Sequence, residues 1–335
     1  MNDKISIIIP AFNIQDYLGN TLDSVLAQSY DNLEIIVVND GSKDNTGSIL
    51  DDYAQKDSRI KAIYQENSGV TSARLCGIQA ASGAYIGFVD GDDFIEPQMY
   101  MRLMENAKRF DADISHCGYQ MVFPAGRIDY YYNTGRIVKQ EGKQGCTDLL
   151  NGYFVKPGLV NKLYRRGLFF GLDNWMDKSI KINEDLLMNF YLFRKAEKCV
   201  FEDVCPYHYV LRQGSAATAH LNKHKLKDPL SVLHILQKET TDIPEWNQIV
   251  ERRVIYQLVN SATIQPGEQR ELIVPFRREA RRELRQRLWG ALTGSSCEKK
   301  LKVMAFWAAV WPASYGWVHS VYAKATGLDK KYSVE

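Results

Sequence analysis

Over residues 1–117, short runs of aliphatic and β-branched residues alternate with longer segments of helical period. Residues 5–9 read as a strand that Pro10 ends. Tyr17, Leu18, Leu22, Val25 and Leu26 then recur at the spacing of a helix packed on a sheet. Residues 33–38, 60–64, 85–89 and 112–117 read as four further strands, and residues 49–53, 70–81 and 97–110 fall in the helices between them. Near-continuous apolar strands joined by helices of about 10–15 residues predict an α/β fold with a mostly parallel sheet covered on both faces. Ligands of such sheets bind beyond the carboxyl ends of the strands, so the residues after each strand are the informative ones. From residue 226 to 324 the period is helical throughout, which predicts a second, helical region. The expected domains are 1–225 and 226–335.

Those strand-end residues are polar and acidic: Pro10-Ala11-Phe12-Asn13, then Asn39-Asp40-Gly41-Ser42, Gln65-Glu66-Asn67-Ser68-Gly69 and Asp90-Gly91-Asp92-Asp93. Each alone is an ordinary turn former; four in succession converge on one rim. The last is the sharpest. Three carboxylates within four residues repel one another unless a cation or a donor compensates. Hard carboxylate oxygens suit Mg²⁺ or Mn²⁺, which keep water and share substrate phosphates. Neither G-x-x-x-x-G-K-[ST] nor G-x-G-x-x-G occurs, so a P-loop and a Rossmann dinucleotide site are not in view.

These residues closely resemble the family 2 glycosyltransferases of GT-A fold. The resemblance rests on I-I-I-P-A-F-N at the start, V-V-N-D-G-S ending at Ser42, N-S-G-V-T-S-A-R ending at Arg74, and F-V-D-G-D-D ending at Asp93. Asn161-Lys162-Leu163-Tyr164-Arg165-Arg166, Asn183-Glu184-Asp185 and Tyr209-Val210-Leu211-Arg212-Gln213-Gly214-Ser215 extend it, in the family's order, to about residue 216. The resemblance implies that Pro10, Ala11 and Phe12 flank a nucleotide base, that Asp40 hydrogen-bonds the base and that Arg74 lies near base or diphosphate. It further implies that Asp90 contacts ribose, Asp92 holds a Mn²⁺ or Mg²⁺ ion on the diphosphate, and Asp185 is the catalytic base. Arg212 and Ser215 would sit on a loop over the diphosphate. One departure stands out: the usual A-R-N-x-G reads Ala73-Arg74-Leu75-Cys76-Gly77, without the asparagine.

The implied activity is inverting, metal-dependent transfer of a sugar from a nucleotide sugar, expected to be UDP-linked, to a hydroxyl of a cell-envelope glycan or lipid-linked acceptor. Teichoic acid is one such acceptor class, because Arg212 to Ser215 also resembles its glycosyltransferases. A metal that offsets charge on the departing diphosphate explains a metal site where a glycosidase would carry a second carboxylate. The alternative is a non-catalytic nucleotide-binding scaffold subunit, which need keep neither the D-x-D acids nor Asp185. A nucleotidyltransferase would want a Gly-rich loop after the first strand, and Pro10-Ala11-Phe12-Asn13 is not one.

Charge separates the two regions. The formal net charge is only +2, yet residues 250–335 hold 15 Lys+Arg against 8 Asp+Glu, and residues 1–249 hold 27 against 32. Arg277, Arg278, Arg281, Arg282, Arg285 and Arg287 lie among Phe276, Leu284, Leu288 and Trp289, with Trp307, Trp311 and Trp317 beyond. Basic residues beside Trp and Phe predict contact of residues 270–318 with an anionic membrane surface; homo-oligomerisation through these helices is the alternative. No base-stacking motif accompanies the cations, so no nucleic-acid partner is expected. The six cysteines form no C-x-x-C pair and read as reduced thiols. With no signal-peptide pattern and no apolar run of transmembrane length, the expected location is cytoplasmic, peripheral on the inner face of the membrane.

Overall fold

The computed structural model describes residues 3–124, 126–130, 133–212, 221–265, 267 and 269–326. The chain divides into two compact units, Met1–Arg212 and Gln213–Glu335. The first carries strands β1 (Ile5–Ala11), β2 (Leu33–Asp40), β3 (Ile60–Gln65) and β4 (Tyr85–Phe88), separated by helices α1 (Leu18–Leu26), α2 (Thr46–Lys56) and α3 (Val70–Ala80). There follow β5 (Phe94–Ile95), α4 (Met99–Arg109), β6 (Ile114–Val122), β7 (Ile128–Tyr130), β8 (Ile137–Glu141), α5 (Gln144–Asn151), β9 (Lys162–Arg165), α6 (Glu184–Lys195) and β10 (Lys198–Val210). They form one sheet of order β3-β2-β1-β4-β9-β6-β10-β5, with β7 on β6 and β8 on β10.

The half built from β3, β2, β1 and β4 is parallel, as the uninterrupted apolar runs require. Ile7 and Ile9 of β1 pack in one core with Leu18, Leu22 and Val25 of α1 and with Tyr100 and Leu103 of α4. Ile8 points to the opposite face, where α3 closes on it. A Cβ added at Gly77 would stand 2.4 Å from the Ile8 Cγ2, so α3 approaches β1 this closely only with a glycine at the contact.

Beyond β4 the expectation of parallel strands gives way. β9 runs antiparallel between β4 and β6, β10 is parallel to β6, and β5 and β8 pair antiparallel with β10. β10 carries Glu202, Asp203 and Pro206 within it, residues that break an apolar pattern. Its register against β6 shifts between Glu202 and Tyr207, where a residue without an N–H is tolerated. The acids are satisfied internally. Glu202 accepts from the Arg102 guanidinium and, at 2.8 Å, from Asn106, while Asp203 accepts the backbone N–H groups of Asn133 and Thr134 at 2.8 and 3.0 Å.

The second unit is helical, as expected: α7 (Lys223–Glu239), α8 (Pro244–Thr263), α9 (Arg270–Thr293), α10 (Lys299–Val310) and α11 (Pro312–Thr326). Leu226 of α7 meets Ile273 and Phe276 of α9 in one apolar cluster. Part of the like-charge series along α9 is relieved within the unit: Glu283 pairs with His234 and with Arg287, each at 2.8 Å, and Arg287 reaches Glu251 of α8 at 2.9 Å. Among the described residues no helix is long and apolar enough to cross a membrane. All six cysteines are free.

The Gly77 contact yields a stability prediction. Gly77→Ala overpacks the α3–β1 interface and is expected to cost about 1–3 kcal/mol, read as a lower urea midpoint at unchanged slope.

Candidate active site

The site collects where β1, β2 and β4 end. The loops after β1 and β2 interlock: Asn13, at φ 49°, donates its N–H to the Ser42 hydroxyl (3.1 Å) and accepts the Lys43 N–H on its side-chain oxygen (2.8 Å). Ala11 is buried, Pro10 is half-buried, and Phe12 stands 46% exposed beside this loop. The turn after β4 lies against the same segment, because a Cβ at Gly91 would fall 2.9 Å from the Pro10 carbonyl oxygen and 2.4 Å from Ile14.

Asp40, the last residue of β2, is buried and holds a third loop. Its Oδ1 accepts from the Gln65 amide (2.7 Å) and the Ser68 N–H (2.9 Å), and its Oδ2 accepts from the Gly69 N–H (2.8 Å). This carboxylate fixes the N-S-G segment at the start of α3. Lys181, from the segment before α6, donates to the Ser68 carbonyl at 3.1 Å and so reaches the same loop.

The five acids of the strand-end turn and the helix start face two arginines and the β10 strand. Arg74 of α3, only 5% exposed, donates Nη2 to Asp90 at 2.9 Å and Nη1 to Glu184 of α6 at 3.0 Å. Burial opposes the Arg74 charge, but Asp90 and Glu184 outweigh it and hold the guanidinium more firmly protonated than a free arginine. Asp185 follows Glu184 at the start of α6. Its carboxyl is pushed up by burial, against the opposing pull of Arg74. Glu184 is raised by burial and by the adjacent Asp185.

Asp92 is approached from β10's end, where Arg212 Nε lies 2.6 Å from Oδ2. Burial and then the neighbouring Asp90 raise Asp92, and Arg212 acts the other way. Asp93 has a different part. It is buried, accepts from the Tyr207 hydroxyl (2.6 Å) and the Val210 N–H (2.7 Å), and so fastens the acidic turn to β10. Tyr207 also accepts the Asp90 N–H on its hydroxyl oxygen at 3.2 Å.

The structure therefore brings Arg74, Asp90, Asp92, Asp185 and Arg212 to one rim, with Pro10, Ala11, Phe12 and Asp40 on the adjoining loops. Ser215 lies outside the described residues, as does His220. His208 has a packing position: its ring stacks on Phe94 with centroids 4.2 Å apart, and Nε2 lies 2.9 Å from the Gln120 amide. Tyr130 is exposed on β7, and Tyr131 and Tyr132 lie outside the described residues.

Three contributors escaped the sequence reading. Glu184 was legible as a helix-start acid but not as the partner of Arg74. Tyr207 and Lys181 carried no signal beyond their residue type. Lys162 is a fourth buried polar group behind the site: its ammonium donates to the Gly158 carbonyl and, at 2.8 Å, to the Asn161 side chain. Burial lowers it to about 7, with Cys117 and Asp185 opposing.

Comparison with known proteins agrees with this geometry. The family model described as Glycosyl transferase family 2 matches residues 6–169. GlyG, a glycosyltransferase of Streptococcus pneumoniae, is 30% identical over 253 residues, covering 72% of this chain and 81% of GlyG. The chain belongs to glycosyltransferase family 2. EpsJ of Bacillus subtilis, an uncharacterized glycosyltransferase, is 38% identical over 208 residues, 61% of this chain; the chain spans 60% of EpsJ. TarS residues 1–349 of S. aureus, crystallised with UDP-GlcNAc, superimposes with a TM-score of 0.70 at 19% identity, over 96% of this chain and 92% of that one. That likeness confirms the GT-A fold of this family 2 chain.

Asp40 gives the next prediction. Asp40→Asn turns one carboxylate oxygen into a donor facing N–H groups, and stability is expected to fall by about 1–3 kcal/mol, measured by urea unfolding. Faster amide hydrogen exchange at Ser68 and Gly69 should accompany it because their N–H groups lose a carboxylate acceptor.

Proposed function

We propose that this family 2 chain is an inverting glycosyltransferase that moves a sugar from a nucleotide sugar to a hydroxyl of a cell-envelope glycan or lipid-linked acceptor. One observation carries the reading: a single buried guanidinium, Arg74, touches both Asp90 of the acidic turn and Glu184 beside Asp185. The end of the site suited to a nucleotide diphosphate and the end suited to a base are thereby held a side chain apart. A scaffold that never turned over would have no use for that coupling.

In this reading Asp185 takes the proton of the acceptor hydroxyl as it attacks the anomeric carbon. Burial raises its basicity, and Arg74 pulls the other way, toward the ionised form. Attack on the face opposite the diphosphate inverts the anomeric centre. Pro10, Ala11 and Phe12 flank the base and Asp40 lies beneath it. Arg212, with Ser215 beyond it, meets the diphosphate. Oxygen donors suit a divalent cation, and Asp92 is raised by burial and then by its neighbour Asp90, a repulsion that a cation would relieve. Among the described residues no three His, Cys, Asp or Glu side chains are grouped to hold a metal ion. Asp92 would hold Mn²⁺ or Mg²⁺ beside Asp90, supplying charge that offsets the leaving diphosphate. UDP-GlcNAc, present in the TarS structure, is the donor to test first.

Asp185→Asn is expected to lower transfer by about 10²–10⁴-fold, the usual contribution of a general base, with UDP binding by calorimetry retained. Full transfer by that variant would remove Asp185 from the mechanism. The product's anomeric configuration, read by NMR coupling constants, should be opposite to the donor's.

The pH dependence follows from the same groups. The base must be ionised, so the rate falls as pH drops through the Asp185 pKa, which burial places above that of an exposed aspartate. Arg74→Gln removes the influence that lowers it. The acid limb of kcat/KM is expected to move to higher pH; an unmoved limb would separate Arg74 from Asp185.

A further inference from the structure

The outward side of the second unit has a composition that its own packing does not use. On α9, Arg278, Arg282, Arg285 and Trp289 are exposed and follow one another at intervals of four, three and four residues, a single helical stripe. On α10, Leu301, Ala305, Ala308 and Ala309 are buried, whereas Val303, Phe306 and Val310 face outward at helical spacing. This helix is thus apolar on two sides and satisfied on one. On α11 the exposed residues include Trp317, Val318 and Val321. Trp289 is 77% exposed, Trp317 68%, Val303 63% and Trp311 61%, and all four lie on these three helices and the bend between α10 and α11.

Two contacts join these stripes. Arg285 Nε donates to the Ala309 carbonyl at 3.0 Å, which sets the arginine stripe against the carboxyl end of α10. The Phe306 and Trp311 rings meet edge to face, 6.3 Å between centroids, so the apolar surface continues across the bend between α10 and α11. Charge along it has one sign. Residues 299–324 contain four lysines and no acidic residue. Arg281 is depressed by burial and by the like charges of Arg277 and Arg285, which means that the arginines repel one another.

We propose that these stripes of α9, α10 and α11 form a docking surface for an anionic lipid bilayer. Indole rings, aliphatic side chains and flanking cations are the three components that an interfacial helix requires: rings at headgroup depth, methyl groups below, and guanidinium and ammonium groups on lipid phosphates. A second copy of the chain is a poorer occupant. A two-fold contact uses the same patch on both copies, so it would bring two net-positive stripes together. A nucleic acid satisfies the cations but leaves Val303, Val310, Val318 and Val321 without a base to stack on. The inference concerns the second unit by itself and is independent of the reaction assigned to the first.

Flotation of the full chain with vesicles of equal parts phosphatidylglycerol and phosphatidylcholine tests it, against vesicles of phosphatidylcholine alone. Binding to the anionic vesicles is expected, together with a fall as salt is raised. The double variant Arg278→Gln/Arg282→Gln should lose about thirty-fold in affinity, since one surface cation contributes roughly fivefold. Val303→Ser/Phe306→Ser should also lose binding, whereas UDP binding and the helical circular dichroism signal stay at the parent's values in both. The proposal is overturned if anionic lipid is not bound at low ionic strength, or if both variants bind like the parent. It is equally overturned if sedimentation velocity shows a dimer that Val303→Ser/Phe306→Ser dissociates, or if RNA binds more tightly than the vesicles.

Discussion

The first unit is organised by an arginine that has no route to water. Arg74 leaves its helix into the interior and is accepted only because two carboxylates arrive from distant parts of the chain, one on the turn after β4 and one at the start of α6. Buried ion pairs of this kind are weak contributors to net stability, because desolvating the charges consumes most of what their attraction returns. Their effect is conditional. With either carboxylate gone, the buried guanidinium loses half of its compensation, so the three segments hold one another in place. The parallel half of the sheet supplies two of these segments, and the third begins α6, between β9 and β10 of the mixed half.

The acids of the site fall into two kinds by what they already hold. Asp40 and Asp93 spend their oxygens on backbone N–H groups and a tyrosine, and thereby shape loops. Asp90, Asp92 and Asp185 instead face arginines at the rim, and burial raises Asp92 and Asp185 as it also raises the sealed Asp93. Composition alone does not distinguish the two kinds. Asp92 and Asp93 are adjacent, yet one meets a guanidinium that ends a strand and the other is sealed beneath it.

That contrast bears on how far the sequence could be read. β1, β2 and β4 are legible because both their faces are buried, which leaves runs such as Ile5 to Ile9 with a single polar interruption, whereas β3 is an edge strand with Lys61 and Tyr64 exposed. β9 and β10 are not legible, for a physical reason: Lys162 lies inside one, and Glu202, Asp203 and Pro206 lie inside the other. Glu202 and Asp203 are matched by partners remote in sequence, which no local pattern displays. The acidic turn, Asp40, Arg74 and Asp185 were legible through their motifs, and the structure draws them to one rim. What the motifs did not disclose is the wiring: that Glu184 rather than Asp185 receives Arg74, and that Tyr207 ties the turn to β10. In the second unit the helices were plain from their period. The relief of Glu283 by His234 and Arg287 was not, since those pairings cross between helices or depend on side-chain direction.

The closeness of α3 to β1 has a mechanical consequence. With Gly77 seated on Ile8, the helix that carries Arg74 has no clearance through which to tilt or slide. Arg212, the other arginine of the site, stands instead two residues beyond β10, with the Leu211 N–H on the Val122 carbonyl at 2.9 Å and its guanidinium 4.9 Å from the centre of the Tyr17 ring. The site thus has one cation seated in the core of the sheet and one carried past a strand end. In the proposed reaction, adjustment to an incoming diphosphate falls on the second, while the first keeps the zero of the scale.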